Sequence, residues 1–501
     1  MSGYKKLLER ARQLHHLYSA VALMEWDLET YMPKGGVDSR SEAIAFLSRR
    51  LHENFISKEM GELIENALAD PDLTEAQRKN VLIMKEDYEK AKKLPPEFVE
   101  EFSKTTSKAF VVWQEAKHKS DFSLFKPYLA KIVELNIEKA NLLGWEKHPY
   151  DALLSEYDKS ATTELVEKVF STLKEQFVDF VQDLLDRENI DDSFLRKYYD
   201  KQKQWEFTVF VLKKLGYPFD KGRMDYSEHP FTIGINIGDV RITTKANEYL
   251  LGDMLLSSVH EMGHALYDLG LPTEAPGTPM SESTSLSIHE SQSRFWENYI
   301  ARSLPFWEHF YTALQGFFHE HLSDVSLWKF YRALNKVSRC PIRIQSDELT
   351  YHFHIMIRYE LEKALIERRL TVDDLPHEWN TRYKAYLGID IKNDAEGVLQ
   401  DVHWSHGTIG YFPTYSLGTF YGAQFLFAME RDIPELWQLV REGNFTPIHQ
   451  WLQKNIWSHG KLLTSEEIAK FATGEGLNVH YFIQYARNKY LPIYEGELET
   501  V

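Results

Sequence analysis

Residues 253–270 read DMLLSSVHEMGHALYDLG. Apolar residues recur there at three- and four-residue steps, so the stretch reads as an amphipathic helix. Gly270 is placed as the residue that ends it. Within the helix, HEMGH sets His260 and His264 four residues apart. Residues four apart on a helix lie one turn above the other on the same face, so both imidazoles can point at one ion. Glu261 stands one step round, within reach of a water on that ion, which is the arrangement the HExxH pattern encodes. A chain rich in histidine matches that pattern by chance often enough that a third ligand must decide. A catalytic ion takes three protein ligands and keeps one position open.

The third ligand is sought downstream. The helix is followed by LPTEAPGTPM, whose Pro272, Pro276, Gly277 and Pro279 mark a loop. Beyond it, SESTSLSIHESQSRFWENYIARS has helical period and brings a second helix back beside the first. Glu290 lies on that returning helix, and two His with a Glu from a separate helix form a zinc ligand set. His289 is adjacent but turns about 100° away, so it cannot share the direction of Glu290. Glu282 lies at the expected helix start, where a carboxylate suits the helix dipole in any case. Glu297 falls on the face of Glu290, as support for a ligand or as a surface group. Asp268, one turn after His264, reads first as a solvated side chain, with orientation of an imidazole as the alternative.

Outward from this site the chain is mostly helical. Apolar residues step by three and four through Leu7, Ala11, Leu14, Leu17 and Val21, and again through Val166, Val169, Leu173 and Phe177. Breakers are sparse, with 25 Gly and 18 Pro in 501 residues. Strand character appears in PFTIGINIGDVRITT, residues 230–244, around a Gly238–Asp239 turn signal, which reads as a hairpin. The expected fold is therefore mostly α: a large helical protein split by a deep groove, with one small antiparallel β-sheet beside the metal site. No composition shift marks a boundary, so residues 1–501 are read as one domain, its N-terminal helices forming a lid-like half.

Composition narrows the partners. A formal net charge of -17 disfavours nucleic acid and anionic membrane as partners. The lone Cys340 excludes an internal disulfide framework and suits a reducing compartment. The N-terminus has no long apolar core and no small-residue cleavage site, so it reads as a structural helix and the protein as cytoplasmic. Trp404 to Met429 carries no Asp, Glu, Lys or Arg, but its glycines, Pro413 and hydroxyl residues point to a buried aromatic segment rather than a membrane helix.

Several further segments carry a resemblance. They are WDLETYMPKGG (26–36), HPFT (229–232), DVRIT (239–243), HESQSRFWE (289–297), IRIQSDE (342–348) and GVLQDVHWSHGTIGYFPTYSLG (397–418). Together with HEMGH, they make the chain resemble the carboxypeptidase Taq family of zinc carboxypeptidases over nearly its whole length. The resemblance implies a helical fold with a deep central groove, a small sheet along it, and a homodimer. It also implies removal of single residues from peptide C-termini, with broad side-chain tolerance and poor cleavage near proline. The family's metal residues map onto His260, His264 and Glu290, and its catalytic glutamate onto Glu261. One zinc per chain is expected, with cobalt as a possible substitute.

A carboxypeptidase needs more than its ion. The oxyanion of the tetrahedral intermediate requires a donor, for which Tyr411, Tyr415, His403 and His406 are the candidates, with core packing as the plainer role. A free C-terminal carboxylate is best held by Arg. Arg241 and Arg343 qualify, or else each makes a salt bridge, Arg241 with Asp239 and Arg343 with Asp347. Asp347 also suits an N-cap. His229 begins the hairpin and is taken as a groove residue. An endopeptidase or dipeptidyl carboxypeptidase with the same site, and a helical scaffold without metal, are the alternatives.

Overall fold

The computed structural model describes residues 2–187 and 190–495. Helices dominate, and side-chain caps start many of them. Ser57 accepts from the Met60 amide at 3.2 Å and Thr162 from the Leu165 amide at 3.1 Å. Thr464 and Glu467 form a full capping box. Each such cap satisfies amides the helix itself leaves unpaired. The two periodic stretches noted above are helices, α1 (Gly3–Thr30) and α2 (Thr163–Asp186). In α2 the buried residues Val166, Val169, Phe170, Leu173, Phe177, Val181 and Leu184 form the apolar stripe that the spacing predicts.

Packing sorts the chain into two compact units. One comprises Met1–Ala91, Ile190–Leu334 and Tyr421–Leu477; the other comprises Lys92–Asn189, Asn335–Phe420 and Asn478–Val501. Each takes three separate segments, which is why no composition shift along the chain marks a boundary.

The first unit holds the sheet, made of β1 (Met224–Tyr226), β2 (Thr232–Asn236) and β3 (Asp239–Thr244), in the order β1-β3-β2. β2 and β3 pair antiparallel as the expected hairpin, with Gly238 at φ 78° in the turn and an irregularity between Gly234 and Asn236. The sheet is nevertheless mixed, not antiparallel: β1 pairs parallel with β3, Met224 opposite Ile242. Three residues, MDY, carry no alternation from which a strand is read. α1 lies on β2, where Ala22 and Trp26 pack with Ile235, Phe231 and Ile233.

The motif helix α3 (Asp253–Gly270) packs against β3 and β2 on one side. On the other side runs α4 (Leu286–Arg294), which continues as a π-helical stretch, Phe295–Ala301. Gly270 does not end α3 in a left-handed cap; Leu271 follows in extended conformation. Its missing Cβ serves packing, because a Cβ there would lie 2.4 Å from Trp457 Cε3. The charge-free stretch lies largely in a buried helix, α5 (Pro413–Asp432). No helix among the described residues is long and apolar enough to cross a membrane.

Candidate metal centre

Close approach of α3 and α4 builds the centre. A Cβ on Gly263 would fall 2.6 Å from Gln292 O and 2.6 Å from Ser293 Cα. Only a glycine between the two motif histidines lets the helices come this near. α4 starts at Ser285, whose hydroxyl accepts from the Ile288 amide at 3.0 Å. That start lies beyond Glu282, which stands in the preceding loop 3.8 Å from Lys461.

The two imidazoles converge on one point. Nε2 of His260 and Nε2 of His264 each lie 3.5 Å from Glu290 Oε2. His260, His264 and Glu290 each offer a donor atom, all within 4.8 Å of one another. They form the one such three-residue group among the described residues. Two imidazole nitrogens and a carboxylate oxygen are the donor chemistry of a borderline divalent ion.

The surroundings hold each donor in place. Arg294 Nε donates to Glu290 Oε1 at 2.7 Å, and Ser293 Oγ donates to Glu290 Oε2 at 3.0 Å. Burial opposes ionisation of Glu290, but Arg294 and the two imidazoles outweigh it and hold the carboxyl well below the usual range. Glu297 Oε2 lies 2.8 Å from His260 Nδ1 and accepts from Arg294 Nη1 at 3.2 Å. Against its burial, Arg294 and His260 bring Glu297 down to about 2. Glu297 thus lies against the His260 ring and Arg294 rather than standing free at the surface. His289 is turned away from the centre, as its place on the helix requires, and its Nδ1 meets His264 Nδ1 at 2.5 Å. Asp268 is not simply solvated, since its Oδ1 lies 2.8 Å from His289 Nε2.

Glu261 lies beside this group but outside it. It is buried, and its Oε2 accepts from Thr232 Oγ1 of β2 at 2.7 Å. The same hydroxyl reaches the Glu261 carbonyl at 2.9 Å, so the edge strand fixes both main chain and side chain of the residue.

The remaining candidates divide between the units. In the first, Arg241 makes a bidentate contact with Asp239, both bonds 2.8 Å, and its guanidinium lies 4.3 Å over the Trp26 ring. His229 is exposed in the loop before β2, where its carbonyl accepts from Ser227 Oγ at 2.6 Å.

In the second unit, Arg343, His403, Tyr411 and Tyr415 lie together. His403 Nε2 is 3.3 Å from Tyr415 Oη, and the rings of Tyr411 and Tyr415 are 5.2 Å apart. The Arg343 guanidinium lies 5.1 Å over Tyr415. Burial, against Asp401 and aided by Arg343 and Arg358, pushes His403 down to about 3, so its ring is neutral near pH 7. Its Nδ1 is buried without a hydrogen-bond partner among the described residues. His406 stands apart from this cluster, exposed and against Phe110 at 5.0 Å.

Arg343 does not pair with Asp347. Its Nε and Nη2 bond Asp401 Oδ1 at 3.0 and 2.9 Å, and Nη1 donates to Tyr351 Oη at 2.9 Å. Asp347 instead caps the turn into the helix Tyr351–Ile366, accepting from the amides of Leu349 and Thr350. Asp401 also receives Arg358 Nε at 2.6 Å, from a fully buried arginine.

Comparison with known proteins fits this geometry. The family model described as Carboxypeptidase Taq (M32) metallopeptidase matches residues 6–490. The chain belongs to that family. It is 42% identical to Carboxypeptidase 1 of Bacillus subtilis, with 98% of each chain covered. It is 38% identical to Thermostable carboxypeptidase 1 of Pyrococcus furiosus, covering 97% of this chain and 98% of the relative. A solved M32 carboxypeptidase from Deinococcus radiodurans superposes with a TM-score of 0.96 at 35% identity, covering 98% and 99% of the two chains. The protein is therefore a peptidase, and membership of a metallopeptidase family implies a metal cofactor.

Within an M32 frame, the sequence reading overlooked Arg294, Ser293 and Arg358. Arg294 had a usable signal, being four residues from Glu290 on the same helix face. Arg358 had none, because its partner Asp401 is distant in sequence.

Proposed function

We propose that this M32 protein is a zinc carboxypeptidase that releases single amino acids from the C-termini of peptides, with broad side-chain tolerance. The observation that carries the reading is the convergence of two Nε2 atoms on Glu290 Oε2 at 3.5 Å, with Glu261 beside them. His260, His264 and Glu290 would hold one zinc per chain, and cobalt would substitute. The donors fit such an ion: the carboxyl is held ionised, and the other nitrogen of each imidazole faces a polar partner.

When bound, zinc supplies Lewis acidity to the scissile carbonyl and acidifies the attacking water. Glu261 takes a proton from that water and delivers it to the leaving amine. The Thr232 hydroxyl keeps the Glu261 carboxylate oriented for both transfers. Tyr411, Tyr415, His403 and His406 are the proposed donors to the oxyanion. His403 Nδ1, buried without a hydrogen-bond partner among the described residues, supports a role for His403 and its tyrosine neighbours. Arg343 is the proposed anchor for the terminal carboxylate, with Arg241 as the second choice and His229 as a contact along the peptide. The whole chain, 1–501, is read as one catalytic domain with its N-terminal helices as a lid-like half. It is proposed to act as a cytoplasmic homodimer on peptides.

Metal analysis tests this directly. Purified protein is expected to hold about one zinc per chain. A chelator should abolish hydrolysis, and added zinc or cobalt should restore it. Undiminished hydrolysis by metal-free protein would overturn the proposal.

A further inference from the structure

The two motif imidazoles present Nε2 to Glu290, so each turns Nδ1 toward the protein. For His260 the neighbour at Nδ1 is a carboxylate, Glu297. For His264 it is another imidazole nitrogen, His289 Nδ1 at 2.5 Å. A neutral imidazole has one N–H and one lone pair, and a lone pair facing a lone pair is repulsive. If His264 Nε2 presents its lone pair toward the Glu290 oxygen, its proton sits on Nδ1 and is donated to His289. His289 Nδ1 then accepts, which puts its own proton on Nε2. That nitrogen lies 2.8 Å from Asp268 Oδ1, where a carboxylate accepts it. With both rings neutral and His264 Nε2 left free to bind an ion, this set of tautomers satisfies every contact in the chain.

We propose that Asp268 and His289 form a relay that fixes His264 in its Nδ1–H tautomer and aims Nε2 at the metal. This rests on reading His260, His264 and Glu290 as the ligands. Asp268 and His289 are positioning residues, acting through His264. The geometry around them is held firmly. The His289 and His264 rings meet edge to edge at their Nδ1 atoms, with centroids 4.5 Å apart and planes at 27°, and Tyr267 packs against His289 at 5.5 Å. Asp268 lies one turn beyond His264 on the same helix. A Cβ on Gly234 would come within 3.6 Å of its Oδ2, so the β2 backbone flanks its other oxygen. The relay also accounts for an asymmetry: His260 receives its carboxylate directly, while His264 receives one through an intervening ring.

Zinc affinity, read by competition with a chromophoric chelator, tests the relay. Cobalt absorption spectra of the same proteins report the ligand field. Asp268→Ala and His289→Ala are each expected to weaken zinc binding about 10- to 100-fold, measured on variants whose metal-free forms remain folded. The double variant should bind no more weakly than His289→Ala alone, because breaking one link disables the chain. His289→Gln should recover most of the loss, since its carbonyl accepts from His264 and its amide donates to Asp268. If His289→Ala does not fold, His289→Phe carries the same prediction, filling the space without an acceptor. Single variants within about two-fold of wild type, or a double variant whose loss is the product of the two singles, would overturn the relay. Failure of the wild-type protein to bind zinc would overturn the ligand reading, and the relay with it.

Discussion

Glu261→Gln is expected to lower kcat for peptide hydrolysis by about 10²- to 10⁴-fold while leaving the metal in place. Glu261 Oε2 accepts from Thr232 Oγ1 at 2.7 Å, and an amide oxygen keeps that bond, so the side chain stays where it is. What the amide cannot do is take a proton. Glu261 is also outside the group whose donor atoms lie within 4.8 Å of one another, so metal content should not change. Glu290→Ala is expected to do the opposite. It removes the oxygen shared by both Nε2 atoms and the partner of Arg294 Nε, and metal is lost together with activity. The check is metal content and kcat on both variants. A Glu261→Gln protein without metal, beside a Glu290→Ala protein that retains it, would reverse the two roles.

A C-terminally amidated peptide is expected to be a far poorer substrate than its free acid. Losing a charge-assisted bond and leaving a buried guanidinium underpaired costs about 2–4 kcal/mol. That is roughly 30- to 1000-fold in kcat/KM. Arg343 suits the anchor role because its bonds to Asp401 and Tyr351 use three N–H groups of a guanidinium that has five. Removing it does not strand Asp401, which keeps Arg358 at 2.6 Å. Arg343→Ala should therefore slow the free acid and shrink the difference between the two peptides, while Arg241→Ala leaves the difference intact. Shrinkage in the Arg241 variant alone would move the anchor to the hairpin. Equal rates on acid and amide in the wild-type protein would remove the anchor altogether.

How much of this was legible in the sequence follows from the range of the interactions. The convergence of His260 and His264 is legible because a helix converts a four-residue spacing into a shared face. Glu290 was readable because the intervening loop of Pro and Gly forces the chain back. Glu297 and Asp268 stood in the right places, yet their partners depend on how closely α3 and α4 approach. That distance is set by Gly263 against Gln292 and Ser293, contacts invisible along the chain. The pairing of Arg343 failed for a similar reason. Asp347 is near in sequence and was the natural guess, but it caps a helix turn, and the true partner Asp401 comes from a distant segment. The parallel strand β1 was missed because three residues show no period, and parallel pairing is non-local by nature. The π-helical stretch Phe295–Ala301 leaves no mark on a pattern read with a single helical period.

This M32 metallopeptidase is proposed to release one residue at a time from a free C-terminus. The most direct measurement is time-resolved mass analysis of a defined, unstructured peptide incubated with the purified protein. A ladder of products is expected, each shorter than the last by one C-terminal residue, with the intact N-terminus in every product. Internal fragments, or products shortened by dipeptide steps, would contradict the claim.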